Sequence, residues 1–279
     1  MKETFKQRVG FGILLGATLL VIIPVFIIIW LLVSRGSSAL SLQFLFTMPR
    51  DGMRAGGIFP AIVGTVYLVV ASMAFALPIG VLAAIYLSEY ARDNVLTRTI
   101  NLAIINLAGV SSVVYGLFGL SLFVIFLRFG ASIIAGSLTL GIMTLPVIIT
   151  TTREALRAVP KSFREVSHSL GASRWQTVRH SVLPFALPGI LTGAILSVGR
   201  VAGETAPILF TVAAFYLPRL PHSLSDQVMA LPYHLYITTT QIPYIPENYR
   251  YGTALVLIGL VLIMNVAAII IRSRFRRKR

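Results

Sequence analysis

The chain has 279 residues, of which 56% are hydrophobic and 12% charged, and it has no cysteine. A soluble domain carries roughly 25% charged residues, so this composition excludes an ordinary cytosolic enzyme, a disordered chain and a disulfide scaffold. Lys and Arg outnumber Asp and Glu by 24 to 9, a net charge of +15. Such an excess fits nucleic acid or the inner loops of a membrane protein, and its position along the chain decides between them.

Six long apolar windows contain no Asp, Glu, Lys or Arg: 9–34, 55–88, 99–127, 129–152, 180–199 and 251–271. The shortest has 20 residues, about the number a helix needs to cross hydrocarbon. The spacing predicts an all-α integral membrane protein with six transmembrane helices. The first window follows Lys2, Lys6 and Arg8. It is far longer than the roughly 7–15 residues of a signal-peptide core, so it reads as a retained helix. Residues 35–57, rich in glycine, form an irregular outer loop. The later windows contain Pro60, Pro78, Pro146, Pro184 and Pro188, with Pro207 just beyond the fifth. Membrane helices tolerate proline where neighbours re-satisfy the backbone. Small residues recur every fourth position at Gly12/Gly16, Gly189/Gly193/Ser197 and Gly199/Gly203. These faces suit close packing, within the bundle or against another subunit.

The fifth window continues past Arg200 and Glu204 to about Leu217, enclosing a charge pair at i, i+4. That spacing puts both on one helix face. Burying such a charge costs about 2.5–3.5 kcal/mol on insertion scales, so an intramembrane pair is a functional candidate by default. The alternative is a self-neutralising pair that fixes bundle geometry. Residues 218–250 hold five prolines and cannot form one continuous helix. Within them, 228–239 reads as a short interfacial helix.

With both termini inside, the inner side collects seventeen basic residues: Lys2, Lys6, Arg8, Arg92, Arg98, the six between Arg153 and Arg179, and the six from Arg272 to Arg279. The outer side has six: Arg35, Arg50, Arg54, Arg128, Arg219 and Arg250. This bias orients the chain with cytoplasmic termini. The positive charge therefore encodes topology and not nucleic-acid binding.

The inner loop 153–183 is the most informative segment. Pro160 suits the first turn of a helix and Gly171 suits its C-terminal stop. Between them Phe163, Val166 and Leu170 fall at spacings of three and four, on one face. Such a helix can lie on a membrane or enter a partner's groove.

This loop is similar to the EAA loop of type I ABC importer permeases. Glu165, Gly171 and Leu183-Pro184 match that pattern in register, while Val166 and Ser167 stand for its alanines and Ser181 for its isoleucine. Gly171-Ala-Ser-Arg-Trp, Leu183-Pro184-Phe-Ala-Leu-Pro188-Gly and Gly199-Arg200-Val-Ala-Gly203-Glu204-Thr205-Ala206-Pro207 resemble the A branch of the phosphate-uptake (Pst) permeases. So do Gly109 to Gly119, where the family pattern has proline in place of Ser111, and Leu145-Pro146 through Val159-Pro160. The resemblance covers roughly 55–271.

The resemblance implies a MetI-like type I ABC permease fold. Residues 1–54 would be an N-terminal helix and outer loop, 55–271 the permease core with coupling loop 153–183 and outer loop 218–250, and 272–279 a basic cytoplasmic tail. It implies a related permease partner (PstC-like), two ATP-binding subunits (PstB-like) and an extracytoplasmic phosphate-binding protein (PstS-like), in a bacterial or archaeal cell membrane. ATP and Mg would bind the partner ATPase, with no cofactor in this chain. A Walker A loop needs Gly-Lys-Ser/Thr, and the only Lys followed by Ser or Thr is Lys161, preceded by Pro160.

On this reading Arg200, Glu204, Thr205 and Tyr115 are candidates to line the substrate path, Thr205 and Tyr115 having interhelical packing as the alternative. Phe163, Glu165, Val166, Leu170 and Gly171 are the candidates for ATPase coupling. The cargo could be another oxyanion such as sulfate, molybdate or phosphonate. An intramembrane enzyme would need a nucleophile with a base, or a metal cluster. The four histidines sit in or beside loops, and neither Gly-x-Ser-x-Gly nor His-Glu-x-x-His occurs. A channel or secondary carrier would leave the inner-loop match unexplained.

Overall fold

The computed structural model describes residues 2–277, with side chains from 7 to 274. The basic side chains of Lys2, Lys6, Arg276, Arg277, Lys278 and Arg279 lie outside the described set. The chain is helical: α1 (Lys2–Gly36), α2 (Leu42–Phe46), α3 (Phe59–Ile85), α4 (Val95–Ala108), α5 (Ser112–Gly119), α6 (Ile133–Arg157), α7 (Lys161–Ser169), α8 (Arg174–Thr177), α9 (Leu183–Gly203), α10 (Ala206–Thr211), α11 (Leu231–Thr240) and α12 (Glu247–Arg277). Three π-helical stretches, Tyr86–Tyr90, Leu120–Phe126 and Val178–Val182, prolong α3 and α5 and lead into α9.

Five helices are long and apolar enough to span a bilayer: Gln7–Ala39, Phe59–Tyr90, Ile133–Arg157, Arg174–Gly203 and Glu247–Arg274. The window expected at 99–127 is instead two helices, α4 and α5, bent by 105°. At about 1.5 Å per residue, the 14 residues of α4 cannot cross alone. Packing shows that the pair is nonetheless one crossing. Gly80 abuts Ile148 and Gly141 abuts Phe75, so α3 and α6 run parallel. Their C-terminal ends meet through Arg164 and Glu89. Their N-terminal ends both meet the outer loop, at Gly64 against Met229 and at the Ile133 amide on the Asp226 carbonyl. The chain between α3 and α6 must therefore return across the membrane once, giving six crossings.

The bend forms without proline. Ser111 adopts φ −62°, ψ 143°, the conformation a proline would impose. The Tyr115 hydroxyl reaches back across the break and donates to the Leu107 carbonyl at 2.9 Å. The same carbonyl accepts the Val110 amide at 3.2 Å, so the two bonds tie the end of α4 to α5 across the break.

Proline placement explains most other helix boundaries. Pro60 and Pro207 occupy first turns, where a missing N–H costs nothing, and Pro184 follows closely on the π-helical stretch Val178–Val182. Pro78, Pro146 and Pro188 lie inside helices that continue through them. The small-residue stripe on α9 is internal: Gly189 meets Ala155, Gly193 meets Thr151, and Ser197 is fully buried. A methyl at either glycine would collide with α6. By contrast, nothing lies within 4 Å of Gly12 or Gly16 on α1, which packs on α12 at its outer end, where Gly36 meets Tyr251.

The outer loops fold into a cap. Residues 35–57 are more ordered than their glycines predict: Ser41 caps α2 by accepting from the Phe44 amide, and Pro49–Arg50 pairs antiparallel with Ala55–Gly56. The segment expected as an interfacial helix is α11, and it is not interfacial. Leu231, His234 and Ile237 are at most 2% exposed and join Met53, Ile58 and Leu68 in the main core. Thr65 of α3 accepts the Leu231 amide at 2.8 Å, drawing α11 into the protein.

His234 is held in this core by Tyr249, whose hydroxyl lies 3.4 Å from Nε2, and its Nδ1 has no partner among the described residues. Burial disfavours the charged ring and lowers its pKa from 6.5 to about 4. The unfolded chain thus binds a proton that the folded chain refuses, and stability is lost as pH falls from 6.5 toward 4. The loss approaches roughly 3 kcal/mol. Thermal unfolding of detergent-solubilised protein between pH 7 and pH 4 is expected to fall more steeply for the native chain than for His234→Phe. Parallel profiles would contradict this.

Candidate functional site

The candidate path residues gather where two helix breaks meet. The fifth window was expected to continue to about Leu217 with its charge pair inside and its helix disrupted at Pro207. The structure ends α9 at Gly203, puts Glu204 in an extended conformation (φ −75°, ψ 136°), and restarts as α10 at Ala206. The cause is local. In a continuous helix the Pro207 ring would clash with the carbonyl four residues back, which belongs to Gly203. Arg200 and Glu204 therefore face each other across a helix end and not along one helix face.

Their separation is 3.6 Å from Nε to Oε1, an ion pair longer than a hydrogen bond. The Arg200 side chain is 33% exposed and that of Glu204 18%. Among the described residues the Arg200 guanidinium makes no hydrogen bond, so a five-donor fork stands uncommitted beside a broken helix. Thr205 is half-buried at the same break, and its hydroxyl likewise has no hydrogen-bond partner in the described set.

Tyr115 is brought close enough to Arg200 to interact with it electrostatically. Its ring is buried at 4% exposure, and its hydroxyl is committed to Leu107. That geometry makes it a brace for the α4–α5 bend, the interhelical packing and hydrogen bonding expected for it from the sequence. Gly116, the next residue, lets α10 approach: a side chain there would strike Phe210 and the Ala206 backbone. Val110, Tyr115, Val201, Ala202 and Ile208 share one apolar cluster, which locks the two breaks together.

The inner loop forms the second candidate site. The helix expected between Pro160 and Gly171 is α7. Its end is closed by the Gly171 amide on His168 and the Ala172 amide on Ser167, with Gly171 at φ +81°. That left-handed turn is where glycine is favoured. A capping box between Ser173 and Gln176 then starts α8. Phe163, Val166 and Leu170 are 42%, 61% and 83% exposed and, with Ser162, Ser167 and Ser181, line a cleft of about 350 Å³. Glu165 is exposed beside a second cleft formed with Ser88, Arg157 and Lys161. A second apolar core lies beneath, built from Ile85, Leu156, Val159, Val178 and Val182.

Sequence reading missed the partner of Arg164. Its guanidinium grips the Glu89 carboxylate at 3.1 and 2.6 Å and donates to the carbonyls of Leu156 and Val159. Glu89 terminates the second apolar window, and that boundary charge was its only signal in the sequence.

Comparison with known proteins agrees with this geometry. The family described as the inner membrane component of binding-protein-dependent transport systems matches residues 76–279. A probable ABC transporter permease of Bacillus subtilis, YqgI, is 36% identical over 96% of this chain and 94% of its own. The phosphate transport system permease PstA 1 of Mycobacterium tuberculosis is 33% identical over the whole of this chain and 92% of its own. Among solved structures, a bacterial alginate ABC transporter superposes with a TM-score of 0.70 at 13% identity, covering 96% of this chain and 94% of that one. The MetNI methionine ABC transporter in an inward-facing conformation gives 0.59 at 18% identity, covering 78% and 94%. Both show the fold of ABC transporter membrane subunits. The chain therefore belongs to the binding-protein-dependent transport system inner membrane component family, as a multi-pass permease of the PstA type.

Proposed function

We infer that the chain is one transmembrane subunit of an ATP-driven importer of inorganic phosphate, and that its N- and C-termini face the cytoplasm. Similarity to phosphate permeases along its whole length supports the cargo. A related permease subunit would complete the path, two ATPase subunits binding ATP and Mg would dock on the inner loops of the two permeases, with α7 the docking helix of this one, and an extracytoplasmic phosphate-binding protein would load the outer cap.

The observation that carries the path assignment is the uncommitted guanidinium of Arg200. Phosphate carries one to two negative charges near neutral pH, and a guanidinium fork matches its oxygens. Glu204, 3.6 Å away, compensates the arginine when no anion is present. It also weakens the hold on an arriving anion, which favours release. Ending α9 at Gly203 leaves its last carbonyls facing the same region, a further brake on tight anion binding.

The exposed apolar face of α7 supports its assignment as the docking helix. Three large side chains in water at the surface of a cleft are costly unless a partner covers them.

Vesicles holding the chain with its partner subunits should take up radiolabelled phosphate in an ATP-dependent manner that excess sulfate does not inhibit. Uptake suppressed by sulfate would transfer the reading to another oxyanion. Arg200→Gln is expected to abolish uptake while the subunit inserts and assembles normally; uptake at the native rate would refute the path assignment. Gly171→Val forces a β-branched side chain into a left-handed turn with open space around it, so its penalty is conformational. It should leave the chain inserted but lose ATPase recruitment or coupling, and full recruitment with full uptake would contradict the docking role of α7.

A further inference from the structure

α7 is tied to the rest of the chain chiefly through Arg164, with lesser contacts at Phe163 and Ser167. Its outer face carries Phe163, Val166 and Leu170, and Leu170 alone is 83% exposed. Its inner face carries Arg164, with four hydrogen bonds: two to the Glu89 carboxylate and one each to the carbonyls of Leu156 and Val159. Beyond these, Phe163 lies against Phe185 with ring centroids 5.2 Å apart, and Ser167 meets Ser181 at 3.4 Å. Arg164 thus joins three elements at one point: α7, the C-terminal end of α6, and the π-helical turn that ends α3.

The chemistry of this joint is that of a fixed strut. Both charged side chains are shielded, Arg164 at 23% and Glu89 at 12% exposure. A bidentate guanidinium–carboxylate pair is directional as well as strong. Removing either partner leaves the other shielded and unpaired, which is far worse than never having the pair. Lysine could supply the charge but not a planar fork that reaches a carboxylate and two carbonyls together. The other end of the strut is α3, which runs from Glu89 across the membrane to the outer cap and packs along α6. α6 in turn packs on α9, the helix that carries Arg200.

We propose that the Glu89–Arg164 pair is the positioning strut that makes a displacement of α7 move α3 and α6 as one body, and so links docking at the inner cleft to the break that holds Arg200. The proposal rests on the reading of α7 as the ATPase-docking helix. It adds a function to a pair that lies behind the exposed Phe163–Val166–Leu170 face, at the floor of the cleft it shares with Glu165.

The test uses the complete transporter in liposomes, with Glu89→Gln, Arg164→Gln, the double variant Glu89→Gln/Arg164→Gln, and Arg164→Lys. Two quantities are read: co-purification of the ATPase subunits, and radiolabelled phosphate imported per ATP hydrolysed. Each single variant, Arg164→Lys included, is expected to keep the ATPase bound while the import-to-hydrolysis ratio falls about tenfold, as loss of one shielded partner implies. The double variant should be no worse than either single one, because the pair acts as a unit. A native ratio in the single variants would overturn the strut, as would loss of ATPase binding in step with the ratio, or a double variant whose defects simply add. Arg164→Lys keeps the charge, so its ratio decides the question if Arg164→Gln fails to insert. Failure of the docking reading itself is distinguishable, because the native chain would then recruit no ATPase.

Discussion

Hydrocarbon offers no hydrogen bonds, so any break in a helix within the membrane must be closed by the protein itself. This chain breaks its helices twice in the same region, at 109–111 and at 204–205, and much of the fold follows from how the breaks are closed. The first is braced by the Tyr115 hydroxyl on Leu107. The second is packed against the first through Gly116, which leaves room for α10. A shared apolar cluster seals both. Against that closed background, the Arg200 fork stands out as polar and unspent. Its nearest compensation is a carboxylate just beyond hydrogen-bonding range.

The inner end follows a different economy. There Arg164 is fully engaged, the loop is capped at both α7 and α8, and an apolar core lies underneath. Rigidity is placed behind the helix and exposed apolar surface in front of it. The two arginines thus differ in commitment: Arg164 is hydrogen-bonded on all sides, and Arg200 is ion-paired with Glu204 alone.

Much of this was legible in the sequence. Charge-free windows located five straight crossings, because a long apolar helix has few alternatives to a membrane. Pro160 and Gly171 bracketed α7 through backbone rules that hold wherever the helix packs. The 105° bend was not legible, since Ser111 takes a proline-like conformation that nothing in its side chain demands. The disruption of the fifth helix near Pro207 was legible, because its ring forbids the carbonyl four residues before it, and α9 ends at that residue, Gly203. The role of α11 was misread as interfacial, as an aromatic, aliphatic segment looks the same whether lipid or protein covers it. For Tyr115 the sequence offered both packing and path lining, and its burial and bond to Leu107 show the packing role. The Glu89–Arg164 pair spans 75 residues, a separation that local patterns do not report.

The central claim is that the α9–α10 break opens onto the path and that Arg200 meets the anion there. The chain has no cysteine, so one introduced thiol is the only one it carries, and the native assembled transporter serves as the background control. Thr205→Cys in the assembled transporter should react with a small water-soluble anionic thiol reagent during ATP turnover. Phosphate should slow that reaction, and the protection should vanish when Arg200→Gln is added. A thiol that stays unreactive throughout turnover, or one whose reaction ignores phosphate, would place the break outside the path and contradict the account.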